Sequence, residues 1–280
     1  MLLGVDVSHW QGEMDWYKCL CAGAKFAFIR AGSITRDGGF VYTDDQFERN
    51  ASIAPDYFPV SFFWYFRPQW DSILQANYFA DLVSGKRSRL PLVVDVEDDG
   101  DLPPDAVAGS VRNFINRLYL RLDTWPMIYT RSSFWNWCVG FDPMWEYLEL
   151  WIARYINLPG PWADGHYAPR DWASWVFWQF SADGNGRGGE FGAQSGSIDL
   201  DYFNGDAESF SIYAGQAPPE MVRVAWVAPP LRATPAGVRI GQTWRGRHFK
   251  VLGESEDVNG NSWYRVEAWI NKRAVRKLEG

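Results

Sequence analysis

The chain has 280 residues, 47% of them hydrophobic and 22% charged, with a formal net charge of −7. That balance is globular, and no apolar run is long enough to cross a membrane as a helix. The three cysteines, Cys19, Cys21 and Cys138, are odd in number and lack a repeated spacing, so they give neither a disulfide framework nor a zinc site and are read as reduced and structural.

In chain order, residues 2–8 (Leu-Leu-Gly-Val-Asp-Val-Ser) read as a short buried strand ending in polar residues, followed by a loop at 9–12. Residues 13–23 are predicted helical, with Gly23 as the C-terminal cap. A second strand covers 25–31 and stops at Gly32. Thr43 with Gln46 three residues on is a capping-box pattern for a helix near 44–52. The third strand is 58–65. Residues 69–84 carry Ile73, Leu74, Tyr78, Phe79, Leu82 and Val83 at the spacing of one helix face, closed by Gly85.

The fourth strand, 90–97, is the most informative stretch. Leu90 to Val94 is as apolar as a strand buried on both faces, and Asp95, Glu97, Asp98 and Asp99 then follow within five residues. Side chains two apart on a strand share a face, so Asp95 and Glu97 are expected on one side about 7 Å apart. A solvated acidic turn is the plain alternative. Residues 103–122 form a helix burying Val107, Val111, Phe114, Ile115, Leu118 and Leu122. Strands at 126–130, 148–155, 175–180 and 197–200 follow, with a short helix at 133–139.

This alternation predicts an α/β fold with a parallel sheet and right-handed crossovers. Eight strands in about 200 residues suggest a closed TIM-like barrel with its last helices degraded. Asp6, Asp95, Glu97 and Asp199 fall at the predicted C-terminal ends of strands one, four and eight, where such barrels place their chemistry. Carboxyls converging on one mouth are what glycoside hydrolysis needs, one as proton donor and one as anion. The 17 Trp residues fit a carbohydrate cleft, although most are expected in the core.

The charge is divided. Residues 223–280 hold 11 Lys+Arg and 5 Asp+Glu, a net of +6, against 16 basic and 29 acidic residues before them, a net of −13. The expected organisation is a barrel domain at 1–206, a linker at 207–220 with Pro218-Pro219, and a small all-β domain at 221–280. The last carries short strands at 222–227, 243–244, 248–252, 263–266 and 269–270, with turns at Gly237, Gly241, Gly246, Gly253 and Asn259-Gly260-Asn261.

Asp6-Val7-Ser8-His9-Trp10-Gln11-Gly12, Asp95-Val96-Glu97, Tyr129-Thr130, Trp151-Ile152-Ala153, Trp178-Gln179-Phe180 and Ile198-Asp199-Leu200 stand in an order and spacing that resembles the glycoside hydrolase family 25 (Chalaropsis-type) lysozymes, the muramidases of phage endolysins and bacterial autolysins. The resemblance covers about residues 1–205. It implies a TIM-like barrel with five β/α units and three further strands, and cleavage of the β-1,4 bond between N-acetylmuramic acid and N-acetylglucosamine. It implies Glu97 as general acid/base, Asp95 as its electrostatic partner, and Asp6 and Asp199 completing an acidic floor. Trp263-Tyr264-Arg265-Val266 and Trp269-Ile270 resemble a bacterial SH3-like (SH3b) wall-binding module, a small all-β SH3-like barrel. The chain departs from the family at Phe63-Trp64, where a Tyr-His pair is usual and Tyr65 lies beyond, at Asp201 in place of Asn, and at Phe180 in place of Tyr. These departures are expected to alter sugar contacts rather than chemistry.

Like charges crowded in one site keep one carboxyl protonated towards neutral pH, here expected to be Glu97 beside the anions Asp95, Asp6 and Asp199. Either Asp95 or the substrate's own 2-acetamido group would then stabilise the cationic intermediate. Tyr65, Tyr129, Trp151 and Gln179 are candidate sugar contacts, with barrel packing the competing role for Tyr129, Trp151 and Gln179. Arg67 and Arg154 are candidates to pair with the acids, or surface ion pairs.

A chitinase-like barrel is the rival enzyme, disfavoured because Val93 occupies the first position of an Asp-x-Asp-x-Glu pattern. A silent wall-sugar-binding protein is the non-enzyme rival. Asp183-Gly184-Asn185-Gly186 is a weak calcium-loop pattern with Gln194 where the closing Glu belongs. His166 and His248 have no ligand companions, so no metal and no cofactor are expected. The expected partners are bacterial peptidoglycan and, for the basic tail, anionic wall polymers, with no nucleic acid, no membrane insertion and a monomeric state. No leader precedes the first strand, which suggests phage-type release from the host cytoplasm or a mature secreted form acting on the bacterial wall.

Overall fold

The computed structural model describes residues 1–155 and 168–215 throughout, and beyond them the segments 221–224, 230–232, 239–243, 248–250, 253–257, 259–265, 269–271 and 275–277. His166, Pro218-Pro219, residues 225–227, Gly237, Trp244, Gly246, 251–252 and Val266 lie outside the described residues.

The chain divides into units at 1–206 and 207–280. The first runs β1 (Leu2–Val7), α1 (Trp16–Cys21), β2 (Ala27–Ile34), β3 (Val41–Thr43), α2 (Phe47–Ile53), β4 (Val60–Tyr65), α3 (Ser72–Val83), β5 (Val93–Asp95), α4 (Pro104–Leu122), β6 (Met127–Thr130), α5 (Ser132–Cys138), β7 (Leu150–Ala153), β8 (Phe177–Ser181) and β9 (Asp199–Phe203). The sheet order β1-β9-β8-β7-β6-β5-β4-β2-β3 is closed by a β1–β2 pairing, giving an eight-stranded barrel with β3 as an antiparallel flap on β2. Five strands of the barrel lead into helices, and β7, β8 and β9 complete the closure.

Alternation along each strand builds two cores. Val5, Val7, Ile29, Phe62, Trp64, Val94, Ile128 and Ile152 face outward into the layer under the helices. The opposite set fills the lumen, where rings from non-adjacent strands meet: Phe28 of β2 stacks on Trp151 of β7 at 4.3 Å between centroids, and Phe63 of β4 reaches the same indole at 6.1 Å. The lumen is therefore a packed floor rather than a pore. Helix starts are fixed by side-chain caps: Asp15 accepts from the Lys18 N–H at the start of α1, and Asp71 from the Ile73 and Leu74 N–H groups at the start of α3.

Three local expectations are corrected. The last barrel strand is not parallel: β9 runs antiparallel to both β1 and β8. Gly32 does not end the second strand but lies inside β2 at an irregularity in its pairing with β4, and a Cβ there would fall 2.0 Å from the Tyr42 carbonyl oxygen. The Thr43/Gln46 capping box does not form. Thr43 ends β3 with its hydroxyl against Tyr78, and Asp44 accepts from the Gln46 N–H instead.

In the second unit, residues 207–213, expected as linker, form helix α6 (Ala207–Tyr213) with Phe210 and Tyr213 buried. The described remainder is strand and turn: β10 (Met221–Val224), β11 (Pro230–Arg232), β12 (Arg239–Gln242), β13 (His248–Lys250), β14 (Gly253–Glu256), β15 (Ser262–Arg265), β16 (Trp269–Asn271) and β17 (Val275–Lys277). They form an antiparallel three-stranded sheet, β13-β10-β17, and an antiparallel five-stranded sheet, β12-β11-β16-β15-β14. The β14–β15 turn closes on Asp257, whose carboxylate accepts from the Asn259 and Asn261 N–H groups and from the Trp263 indole.

Candidate functional site

The barrel mouth gathers the four acids by three different routes. Asp6 is the fifth residue of β1 and turns into the lumen, 5% exposed. Asp95 ends β5, 4% exposed. Glu97 lies beyond the strand, but its segment is held to β6: the Val96 N–H donates to the Tyr129 carbonyl, and the Thr130 hydroxyl donates to the Val96 carbonyl. Asp199 opens β9 rather than ending a strand. Because β9 runs backwards, its N-terminal end is at the mouth, directly opposite Asp6 in the β1–β9 register.

Glu97 and Asp95 form the outer pair. The Glu97 side chain is 27% exposed, and its Oε2 stands 3.9 Å from the Arg131 guanidinium. Burial raises the proton affinity of both carboxyls, and Glu97 raises that of Asp95 further, while Arg131 and Arg30 pull both down. Two carboxyls in one buried pocket resist ionising together, so the pair keeps a proton towards the neutral range. Asp95 Oδ1 is buried without a hydrogen-bond partner among the described residues.

Tyr65 is paired in register with Asp95 and lies between two cations, the Arg30 guanidinium 5.1 Å and the Arg67 guanidinium 4.9 Å from its ring centroid. Arg67 also pairs with Asp98, so the third acid of the run serves to fix Arg67. Arg154 contributes backbone: its N–H donates to the Gln179 carbonyl and its carbonyl accepts from the Trp178 indole.

Asp6, Asp199 and Asp201 form an inner cluster. Gln179 Nε2 donates to Asp6 Oδ2 at 2.7 Å, and Gln179 Oε1 accepts from the hydroxyls of Tyr129 at 2.8 Å and Tyr155 at 2.7 Å. Burial pushes Asp6 up to about 6, against hydrogen bonds from Gln179, Asp201 and Asp199 that pull it down. Asp199 is pushed up to about 9 by burial and by Asp6. Burial and Asp6 thus favour the protonated form of Asp199, which runs against the expectation that it is one of the anions around Glu97.

Trp151 and Gln179 take the packing role, the alternative to sugar contact. Trp151 is 1% exposed with its indole N–H donated to Asp201, and Gln179 is 4% exposed with both ends of its amide engaged. They form the floor under the acids. Tyr129, 7% exposed, belongs mostly to the same layer. Sequence reasoning missed Arg30, Arg131 and Tyr155, whose roles arise across strands. It also placed Asp201 outside the chemistry, whereas this carboxyl is fully buried against Asp6.

Among the described residues no group of three or more His, Cys, Asp or Glu is arranged to hold a metal ion. Asp183 of the weak calcium-loop pattern spends its carboxylate on the Asn185 N–H and the Ser181 hydroxyl. The arrangement is suited to delivering one proton and stabilising one adjacent positive charge at a cleft floored by aromatic rings.

A sequence model of the glycosyl hydrolases family 25 matches residues 5–189. The chain is 32% identical over 217 residues to lysozyme M1 of Streptomyces globisporus, across 73% of this chain and 68% of that one. It is 26% identical over 212 residues to an N,O-diacetylmuramidase of Chalaropsis sp., across 70% of this chain and 95% of the other. The crystal structure of the bacterial lysozyme from Streptomyces coelicolor superposes with a TM-score of 0.61 at 29% identity, covering 74% of this chain and 93% of that one.

Proposed function

The chain belongs to glycosyl hydrolase family 25, and we propose that its barrel cleaves peptidoglycan with Glu97 as the proton carrier. The protein is a peptidoglycan hydrolase of the muramidase type, acting on the β-1,4 bond between N-acetylmuramic acid and N-acetylglucosamine. The observation that supports the residue roles is the pairing of a partly exposed Glu97 with a buried Asp95 at the end of β5, both holding protons more tightly than ordinary carboxyls.

In this reading Glu97 protonates the leaving sugar oxygen, and the oxocarbenium-like charge develops beside Asp95. Asp95, at the end of β5 beside Glu97, is the carboxyl next to which the substrate's 2-acetamido group would lie, with the acetamido oxygen as the internal nucleophile. Asp6 supplies fixed negative charge beneath, and Asp199 a protonated neighbour. Tyr65, kept at the mouth by Arg30 and Arg67, is the ring placed to contact sugar. The experiment is mass analysis of digested peptidoglycan. New N-acetylmuramic acid reducing ends are expected, and new N-acetylglucosamine ends would defeat the reading.

For residues 221–280 the reading is an SH3-like module that holds the enzyme on the wall. Its support is the net charge of +6 on residues 223–280, which suits polyanionic wall polymers, and the antiparallel strands of its described segments.

A further inference from the structure

We propose that Asp201 works as a neutral carboxylic acid, a positioning residue that donates its proton in a hydrogen bond to Asp6 while accepting one from Trp151. Asp201 has no exposed surface. It follows Asp199 by two residues on β9 and so shares the lumen face, opposite Gly4 of β1 and Gln179 of β8. Its Oδ1 accepts from Trp151 Nε1 at 2.8 Å, and its Oδ2 is buried with no donor supplied to it among the described residues.

The charged or titratable groups that act on it are acids: Asp6 from β1 and Asp199 from β9 itself. Its neighbours from β7 and β8, Trp151 and Gln179, are uncharged. A carboxylate in that position would be buried, short of donors and pressed against a second carboxylate, three separate costs. Two carboxylates are both acceptors and cannot bond, whereas a protonated Oδ2 turns the same contact into a donor–acceptor pair. Burial and Asp6 both hold the proton on Asp201, and the bond it makes pulls the other way on Asp6.

With Gln179 Nε2 and Asp199, Asp201 thereby holds Asp6 as the anion of the inner cluster in a fixed orientation. The other end of Asp201 fixes the Trp151 indole, which packs on Phe28 at 4.3 Å and on Tyr129 at 4.5 Å. One protonated acid thus ties the floor of the lumen to the charge above it. The inference rests on the muramidase reading for its effect on turnover, but not for the protonation state.

Infrared difference spectra of the wild-type protein against Asp201→Asn at neutral pH test the state directly. A C=O stretch of a protonated carboxyl, lost in the variant, is expected; loss of carboxylate bands alone would overturn the proposal. Asn keeps both contacts, its oxygen accepting from Trp151 and its amide donating to Asp6, so Asp201→Asn should hold the acid limb of the kcat/KM profile where the wild type has it. Asp201→Ala removes the donor, makes Asp6 harder to ionise and should move that limb up by about one pH unit. A limb displaced equally in both variants would also overturn it. Should Asp201→Ala fail to fold, the Tm of Asp201→Asn against wild type decides: its advantage should grow as pH rises, because Asn cannot ionise, and a constant difference would count against the proposal. Failure of the wild type to release N-acetylmuramic acid ends would undo the muramidase reading and leave the infrared result standing.

Discussion

Asp6 and Asp199 face each other across the antiparallel β1–β9 pair, 193 positions apart in the chain and adjacent in the sheet. This closure seam puts two acids where a parallel strand would have carried Asp199 to the opposite end of the barrel. Asp199 reaches the mouth because the final strand is reversed.

Replacing Glu97 with Gln removes the proton donor and little else. Loss of wall lysis by about 10²–10⁴-fold is expected, with Tm unchanged and binding to insoluble walls retained. Turbidity clearing and a pelleting assay measure the two. A folded, fully active variant would refute the assignment.

Arg131 lies 3.9 Å from Glu97 and lowers its proton affinity. Since Glu97 must be protonated to act as an acid, Arg131→Gln should let activity persist to higher pH. The Arg131 side chain is 49% exposed, so solvent screening keeps the displacement of the alkaline limb below about one pH unit. A limb moved to lower pH would contradict this sign.

The buried acids make stability fall as pH rises. Unfolded carboxyls release their protons near pH 4, while Asp6 holds its proton to about 6 and Asp199 to about 9. The folded state therefore binds more protons than the unfolded state across that window, and the slope of unfolding free energy with pH is negative. Tm should decline from pH 4 towards pH 9, and Asp199→Asn should flatten the decline. A Tm that climbs through this range would be incompatible with the protonated inner cluster.

Deleting residues 221–280 should weaken wall binding while leaving cleavage of small soluble glycan fragments near the wild-type rate. The loss should be greatest at low salt, where attraction between the basic tail and anionic polymers is least screened. Equal whole-wall activity with and without the tail would remove the targeting role.

Much of this molecule could be read from its residues. The apolar run to Val94 ending in Asp95 and Glu97 announced a buried strand delivering acids, because period-two geometry and burial are local properties of a strand. Cap residues such as Asp15 and Asp71, and the helical stripe of 104–122, act within one turn and are equally visible. The failures are of a different kind. Residues 199–203 look the same whichever way the strand runs, since alternation has no direction. Thr43 and Gln46 satisfied a capping pattern whose parts the fold used elsewhere, Thr43 on Tyr78.

The sequence by itself determined the barrel's strands, its family and the identity of four mouth acids, because each is written in contiguous pattern. Only the tertiary structure decided which acids hold their protons more tightly. Asp199 and Asp201 differ from Asp183 not in type but in what surrounds them: Asp183 has the Asn185 N–H and the Ser181 hydroxyl, which lower its proton affinity, whereas Asp199 and Asp201 have burial and Asp6, which raise theirs. The proton affinity of a carboxyl is set by its desolvation and its neighbours' charges, and in a closed barrel those neighbours come from strands far apart in the chain.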